Sequence, residues 1–173
     1  VTELAGSQPD LAVARGAAAY GRIRATGEGI RIKSGTARSC YLGLETSMPA
    51  VPGFTPPVKA VCVVPQGMEE GSACVIEDQE FGLVIGQPAD FRFFTSEVRS
   101  GDEPGTIVND AVNNLEESTK VALTIPPGEG QTAGDVIPVK IRANVTELGN
   151  LELWMRHEAT GGQWGLDYQV RES

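Results

Sequence analysis

The chain has 173 residues, of which 40% are hydrophobic and 21% charged, a balance that supports one domain plus extras and excludes a chain too polar to bury a core. With 21 Gly and 11 Pro the backbone is interrupted too often for a helical bundle, and no stretch approaches the ~18 apolar residues of a membrane-spanning helix, so turn-rich β structure is the expectation. The formal charge of -9 is uneven: residues 1–40 hold 6 basic and 3 acidic side chains, which leaves -12 on the remainder and excludes nucleic acid as a partner of that acidic body.

Val1 stands where an initiating Met would, so the chain reads as trimmed from something longer, and Glu3, Asp10 and Arg15 fall where a secretory signal would be apolar. Residues 7–25, SQPDLAVARGAAAYGRIRA, predict a helix. Ser7 with Asp10 makes a variant capping box, and Pro9 falls in the first turn, where its missing N–H costs nothing. Ala12, Ala14, Gly16, Ala17, Ala18 and Ala19 give it small side chains that let a neighbouring backbone approach closely. Severed from such a neighbour it is expected to pack on a second copy, as in a swapped or lattice dimer, or on the sandwich wall, because an isolated helix of this length is marginal in water. Gly27 and Gly29 end the helix, and GIRIKSGTARS follows as an extended basic linker. The expected division is residues 1–34 for helix and linker and 35–173 for the body.

From residue 37 the chain predicts about eight strands, or nine with the closing hairpin counted as two. They are 37–47, 57–65, 72–78, 81–86, 89–97, 119–125, 135–146, 150–157 and 163–171; the two runs around Phe81 also read as one strand with a bulge. The last three alternate most clearly. Ile137, Val139, Ile141, Ala143 and Val145 share one face, then Leu151, Leu153 and Met155, then Trp164, Leu166, Tyr168 and Val170. This is an antiparallel meander with one buried face, and the fold class is a mainly β antiparallel sandwich with one N-terminal helix. Residues 99–118 read as a long polar edge excursion with an apolar patch at Ile107, Val108 and Val112. GEGQTAG at 128–134 lacks the Lys-Ser/Thr of a phosphate loop and leads into a strand, so it predicts no nucleotide site.

Catalytic chemistry has little to stand on. His157 is the single histidine and falls at a strand end, where a structural role is expected. Glu69-Glu70, Glu77-Asp78 and Glu116-Glu117 are adjacent pairs that read as solvated loop residues and cannot share one site from a strand. Cys40, Cys62 and Cys74 show no metal spacing. Cys62 and Cys74 sit in apolar runs and read as buried, reduced thiols of a cytoplasmic protein, and neither a metal nor any other cofactor is expected here. Asn144-Val145-Thr146 is a glycosylation sequon only in a secreted chain. The residues favour a binding module over an enzyme.

Two segments carry a family resemblance. Gln8-Pro9-Asp10-Leu11-Ala12-Val13-Ala14-Arg15-Gly16-Ala17-Ala18 resembles the helix signature near the end of the ATPase domain of heat-shock protein 70 (DnaK-like) chaperones, Asn-Pro-Asp-Glu-Ala-Val-Ala-x-Gly-Ala-Ala. Tyr41-Leu42-Gly43-Leu44-Glu45-Thr46 is similar to the first strand of that family's substrate-binding sandwich, Ser-Leu-Gly-Ile-Glu-Thr. The run from Val139 to Leu153 and the turn Glu158-Ala159-Thr160-Gly161-Gly162 are similar to its closing hairpin and its Lys-Ala-Thr-Gly-Lys turn.

The resemblance implies the last helix of an ATPase domain joined to a sandwich that grips extended apolar peptides or unfolded proteins. Peptide would lie between the loops of the first four strands, held by backbone hydrogen bonds and side-chain pockets. Leu42, Leu44, Ala89 and Phe91 fall where the family lines its pocket, and Met48 lies one residue beyond its arch position. ATP and magnesium would belong to the upstream ATPase domain, which becomes a partner of this piece. Two departures mark a divergent relative. Lys33, Ser34 and Gly35 replace the leucines of the family's linker, and the chain stops at Ser173 without a helical lid. The alternative is a regulatory or protein-docking sandwich that keeps the fold without client binding, with Trp154 between Arg142 and Arg156 as its interface.

Overall fold

A computed structural model describes residues 35–44, 52–53 and 56–169, together with Ala17, Ala18 and Ala25. The chain divides into two compact units, Val1–Lys33 and Ser34–Ser173. In the first, Ala17, Ala18 and Ala25 are helical; the rest of the helix expected over 7–25, any dimer through it and the start of the linker lie outside the described residues.

The second unit is an antiparallel β-sandwich. Its strands are β1 (Ser39–Leu44), β2 (Lys59–Val64), β3 (Ala73–Val84), β4 (Pro88–Ser96), β5 (Ile107–Val108), β6 (Glu116–Thr124), β7 (Val136–Val145), β8 (Asn150–Arg156) and β9 (Gln163–Gln169), with a one-turn helix, α1 (Ala111–Asn114), between β5 and β6. One sheet has the order β5-β2-β1-β4-β6 and the other β3-β7-β8-β9.

Burial follows from which faces each sheet has covered. In β7 every second residue is buried, and Ile137, Val139, Ile141, Ala143 and Val145 face the inter-sheet core while the intervening side chains face outward. By contrast β2 is buried from Ala60 to Val64 without a break. Val61 and Val63 enter the main core with Cys40, Leu42 and Phe93, while Ala60 and Cys62 join Tyr41 and Phe94 in a smaller cluster. The centre of the five-stranded sheet is therefore apolar on both faces, which is why its strands read as continuous apolar runs.

The cover over that second face is the segment expected to be a loose excursion. Val108, Ala111 and Leu115 bury there, the last two at helical i, i+4 spacing. β5 extends the sheet by pairing Ala60 with Val108 and Val61 with Ile107. Backbone bonds secure it: Cys62 N–H to Thr106 O at 2.8 Å, Gly105 N–H to Cys62 O at 2.9 Å and Ala111 N–H to Val58 O at 2.7 Å. Val112, expected in the apolar patch, is exposed.

Other expectations are corrected. Glu116 and Glu117 open β6 instead of lying in a loop, and Glu117 takes both Arg92 Nε and Nη2, at 2.8 and 2.6 Å. The two runs around Phe81 form one bulged strand, β3, the second of the two readings given for them. Its register jumps from Ile76↔Ile141 to Phe81↔Val139, so residues 77–80 stand opposite Lys140 alone. The end of the expected linker is pinned to the sandwich, with Thr36 N–H on Met68 O at 2.9 Å and Gln66 Nε2 on Ala37 O at 2.7 Å. Cys74 is half-buried, and its thiol donates to Val63 O at 2.8 Å.

Candidate functional site

Alternation along β1 turns Cys40, Leu42 and Leu44 toward the opposite sheet, and β4 does the same with Ala89, Phe91 and Phe93. Because the two strands are antiparallel, the end of β1 and the start of β4 meet at one end of the sandwich. There Leu42, Leu44, Ala89 and Phe91 line a single cavity of about 550 Å³, with Phe81 of β3 and Val136 of β7 on the facing wall. Its volume falls in the ~300–1,000 Å³ range of clefts that hold small ligands or side chains. Leu42 and Phe91 are buried at its floor, Leu44 and Ala89 are half-buried, and Val136 is 62% exposed at the mouth. Its charged lining is acidic: Asp90, whose Oδ2 is 2.6 Å from Lys120 Nζ, and the exposed Glu80. Met48 lies outside the described residues.

Among the described residues the ladder between β1 and β4 runs from Ser39↔Ser96 to Leu42↔Phe93, and β4 pairs on its other side with β6 down to Pro88↔Thr124. Just beyond it Gly43 lies against Arg92, where a Cβ would come 3.2 Å from the Arg92 carbonyl oxygen, so the two strands stay side by side toward the cavity.

The β3–β4 turn at this end is held firmly. Ile85 N–H donates to Asp135 O at 3.0 Å, Gly86 N–H to Ile125 O at 2.6 Å and Gly134 N–H to Ile85 O at 2.7 Å. The GEGQTAG segment thus runs alongside this turn and forms part of its support.

Trp154, Arg142 and Arg156 come together elsewhere, on the outward face of the four-stranded sheet. Arg142 pairs with Trp154 across β7 and β8, and Arg156 follows two residues along the same face. They line a groove of about 450 Å³ with Val75, Lys140 and Gln163. The Trp154 ring lies across Gly165 of β9, where a Cβ would come within 3.1 Å of it.

Remaining candidates resolve into structural roles. His157 is buried, its Nδ1 2.8 Å from the Thr160 hydroxyl, and its carbonyl accepts Gly161 N–H at 2.9 Å to close the turn before β9. Asn144 sits within β7 and donates to Glu152 Oε2 at 3.0 Å. Burial pushes the Cys40 thiol up to about 12 against the opposing pull of Arg38, and burial with the Asp102 charge pushes Cys62 up to about 12. Among the described residues no cluster of His, Cys, Asp or Glu is disposed to hold a metal, and no helix is long and apolar enough to cross a membrane.

Phe81 and Val136 were not anticipated as cleft residues. The apolar run FGLVIG carried part of that signal, but which end of β3 faces β1 depends on the bulge, which no alternation rule places. No protein-family model matches the chain, and no curated protein matches it.

Proposed function

We propose that the sandwich binds extended apolar segments of polypeptide in the cleft between its sheets, as the substrate-binding domain of a divergent chaperone of the heat-shock protein 70 type. The observation that carries this reading is the convergence of Leu42, Leu44, Ala89 and Phe91 on one cavity of about 550 Å³. An apolar side chain from a guest would fill that space, in the manner of an extended peptide held by side-chain pockets. In this reading the sandwich performs no chemistry. ATP and magnesium act on an ATPase domain elsewhere in a cytoplasmic parent protein, and unfolded chains are the clients.

The test is fluorescence anisotropy with a labelled leucine-rich heptapeptide. Binding in the micromolar range is expected, weakened at least ten-fold by Leu44→Asp with an unchanged circular dichroism spectrum. Equal affinity of the wild type and that variant overturns the proposal.

A further inference from the structure

The outward face of the four-stranded sheet carries an arrangement that folding alone does not explain. Five arginines are described, and three hold carboxylates: Arg38 meets Glu97 at 2.8 Å, Arg92 meets Glu117 at 2.6 Å and Arg99 meets Asp102 at 2.6 Å. Arg142 and Arg156 form no ion pair with any described residue. The chain is not short of acids, since it carries -9 overall. Of the acids on this side of the sheet, Glu152 accepts from Asn144 Nδ2 at 3.0 Å and Glu158 meets Lys140 Nζ at 3.1 Å, while Glu77 lines the same groove from β3. Among the described residues, then, no carboxylate is bound to these two guanidinium groups, which lie beside a Trp154 that is 41% exposed, in a row where Val75 is 45% exposed. Exposed aromatic and aliphatic surface beside uncommitted arginines is the composition of a protein-binding patch.

We infer that this face docks an extended acidic segment of a partner protein, with carboxylates on alternate residues seated on Arg142 and Arg156 and an aromatic or aliphatic side chain laid on Trp154. Spacing supports an extended guest. Arg142 and Arg156 are diagonal neighbours on adjacent strands, ~7–8 Å apart, and residues i and i+2 of an extended chain lie ~6.7 Å apart on one face. Each guanidinium offers a planar fork that takes a carboxylate in two parallel hydrogen bonds. Glu77, exposed on the β3 side of the groove, repels the same carboxylates and so confines them to the β7–β8 side. Gly165 adds room: any larger residue there would lift the indole from the sheet, whereas glycine lets it lie flat as a platform.

The probe is a fluorescein-labelled decapeptide containing Glu-Thr-Glu-Thr-Tyr, titrated by anisotropy at low salt against the whole chain. Saturable binding is expected, lost to at least ten-fold weaker affinity in the Arg142→Gln/Arg156→Gln double variant and in Trp154→Ala, and likewise for the Gln-Thr-Gln-Thr-Tyr analogue. The Leu44→Asp cleft variant is expected to bind this probe as the wild type does, which separates this surface from the peptide cleft. Equal affinity for the acidic and Gln peptides, or an unaffected double variant, overturns the inference. So does a concentration-dependent dimer that Trp154→Ala dissolves, because the face is then occupied by a second copy.

Discussion

The phenol of Tyr41 donates a 2.8 Å hydrogen bond to Oδ2 of Asp102, fastening the middle of β1 to a loop 61 residues away in sequence. The same oxygen accepts Arg99 Nε at 2.6 Å. The bond helps to close the cover over the second apolar cluster, which is held as well by backbone bonds, by Ser39 Oγ on Arg99 O at 3.1 Å, by Gln79 Nε2 on Gly105 O at 2.9 Å and by a few apolar side chains. Tyr41→Phe leaves the ring buried and removes the donor. We expect a loss of roughly 1.5–3 kcal/mol, the scale of a hydrogen bond to a charged group, read by urea unfolding. A variant as stable as the wild type would show that the bond contributes nothing.

The same pair predicts how stability varies with pH. Burial alone would raise the Asp102 carboxyl, but hydrogen bonds from Arg99 and Tyr41 and the Arg99 charge outweigh it and hold it below the ordinary carboxylate range. A depressed acid stabilises the fold above its unfolded value of ~3.9, and that stabilisation is lost as pH falls through the lower folded value. Burial, then the Asp102 hydrogen bond, pushes Tyr41 up to about 12. Its contribution is complete below ~10 and is lost as pH rises through about 12. Urea midpoints followed across pH should therefore fall less steeply at both extremes in Asp102→Asn than in the wild type; parallel profiles would contradict this assignment.

Gly86 cannot be replaced cheaply. Its φ of 71° is left-handed, and a Cβ would come 2.5 Å from Ala133 Cα and Cβ. Gly86→Ala combines backbone strain with overpacking and should cost roughly 2–4 kcal/mol. Gly130→Ala, with φ of 78° and nothing within 4 Å, carries the strain alone and should cost ~1 kcal/mol. Thermal unfolding of the two variants checks the difference. Because Gly86 lies in the turn beside the cleft, its variant should also bind the leucine-rich heptapeptide more weakly.

The thiols should resist alkylation in the folded protein. With Cys40 and Cys62 pushed up to about 12 and Cys74 also raised by burial, little thiolate exists near neutral pH. Iodoacetamide at mild alkaline pH should modify the native chain slowly, with the half-buried Cys74 first, and all three cysteines promptly in urea. Mass spectrometry after timed quenching reads the order, and rapid labelling of Cys40 in native protein would contradict the burial described.

How much of this was readable in advance depended on how many faces each strand buries. β7 and β8 lie within a residue of their expected bounds, because one face of each is solvated and the alternation of Ile137 to Val145 and Leu151 to Met155 is uninterrupted. Leu42, Leu44, Ala89 and Phe91 could be grouped only through a family resemblance, since core and cleft residues look alike to periodicity; their meeting at one cavity needs the antiparallel pairing of β1 with β4, strands far apart in sequence. The segment from 99 to 118 was misread because a two-residue strand and a one-turn helix are shorter than the periods that announce them. A trace was there: Ala111 and Leu115 share a helical face. Trp154 with Arg142 and Arg156 was legible, since cross-strand neighbours follow directly from the hairpin turn at Leu148-Gly149-Asn150.

The four residues of β3 that stand opposite Lys140 have a wider effect. On one side of them, residues 73–76 run beside the Arg142 stretch of β7; on the other, 81–84 run beside residues 136–139 at the cleft. Slack between the two halves means that a slip or substitution in one need not propagate into the register of the other. A single strand thereby serves two surfaces as separately adjustable parts, and lineages of this chain could retune what one surface accepts while the other stays unaltered.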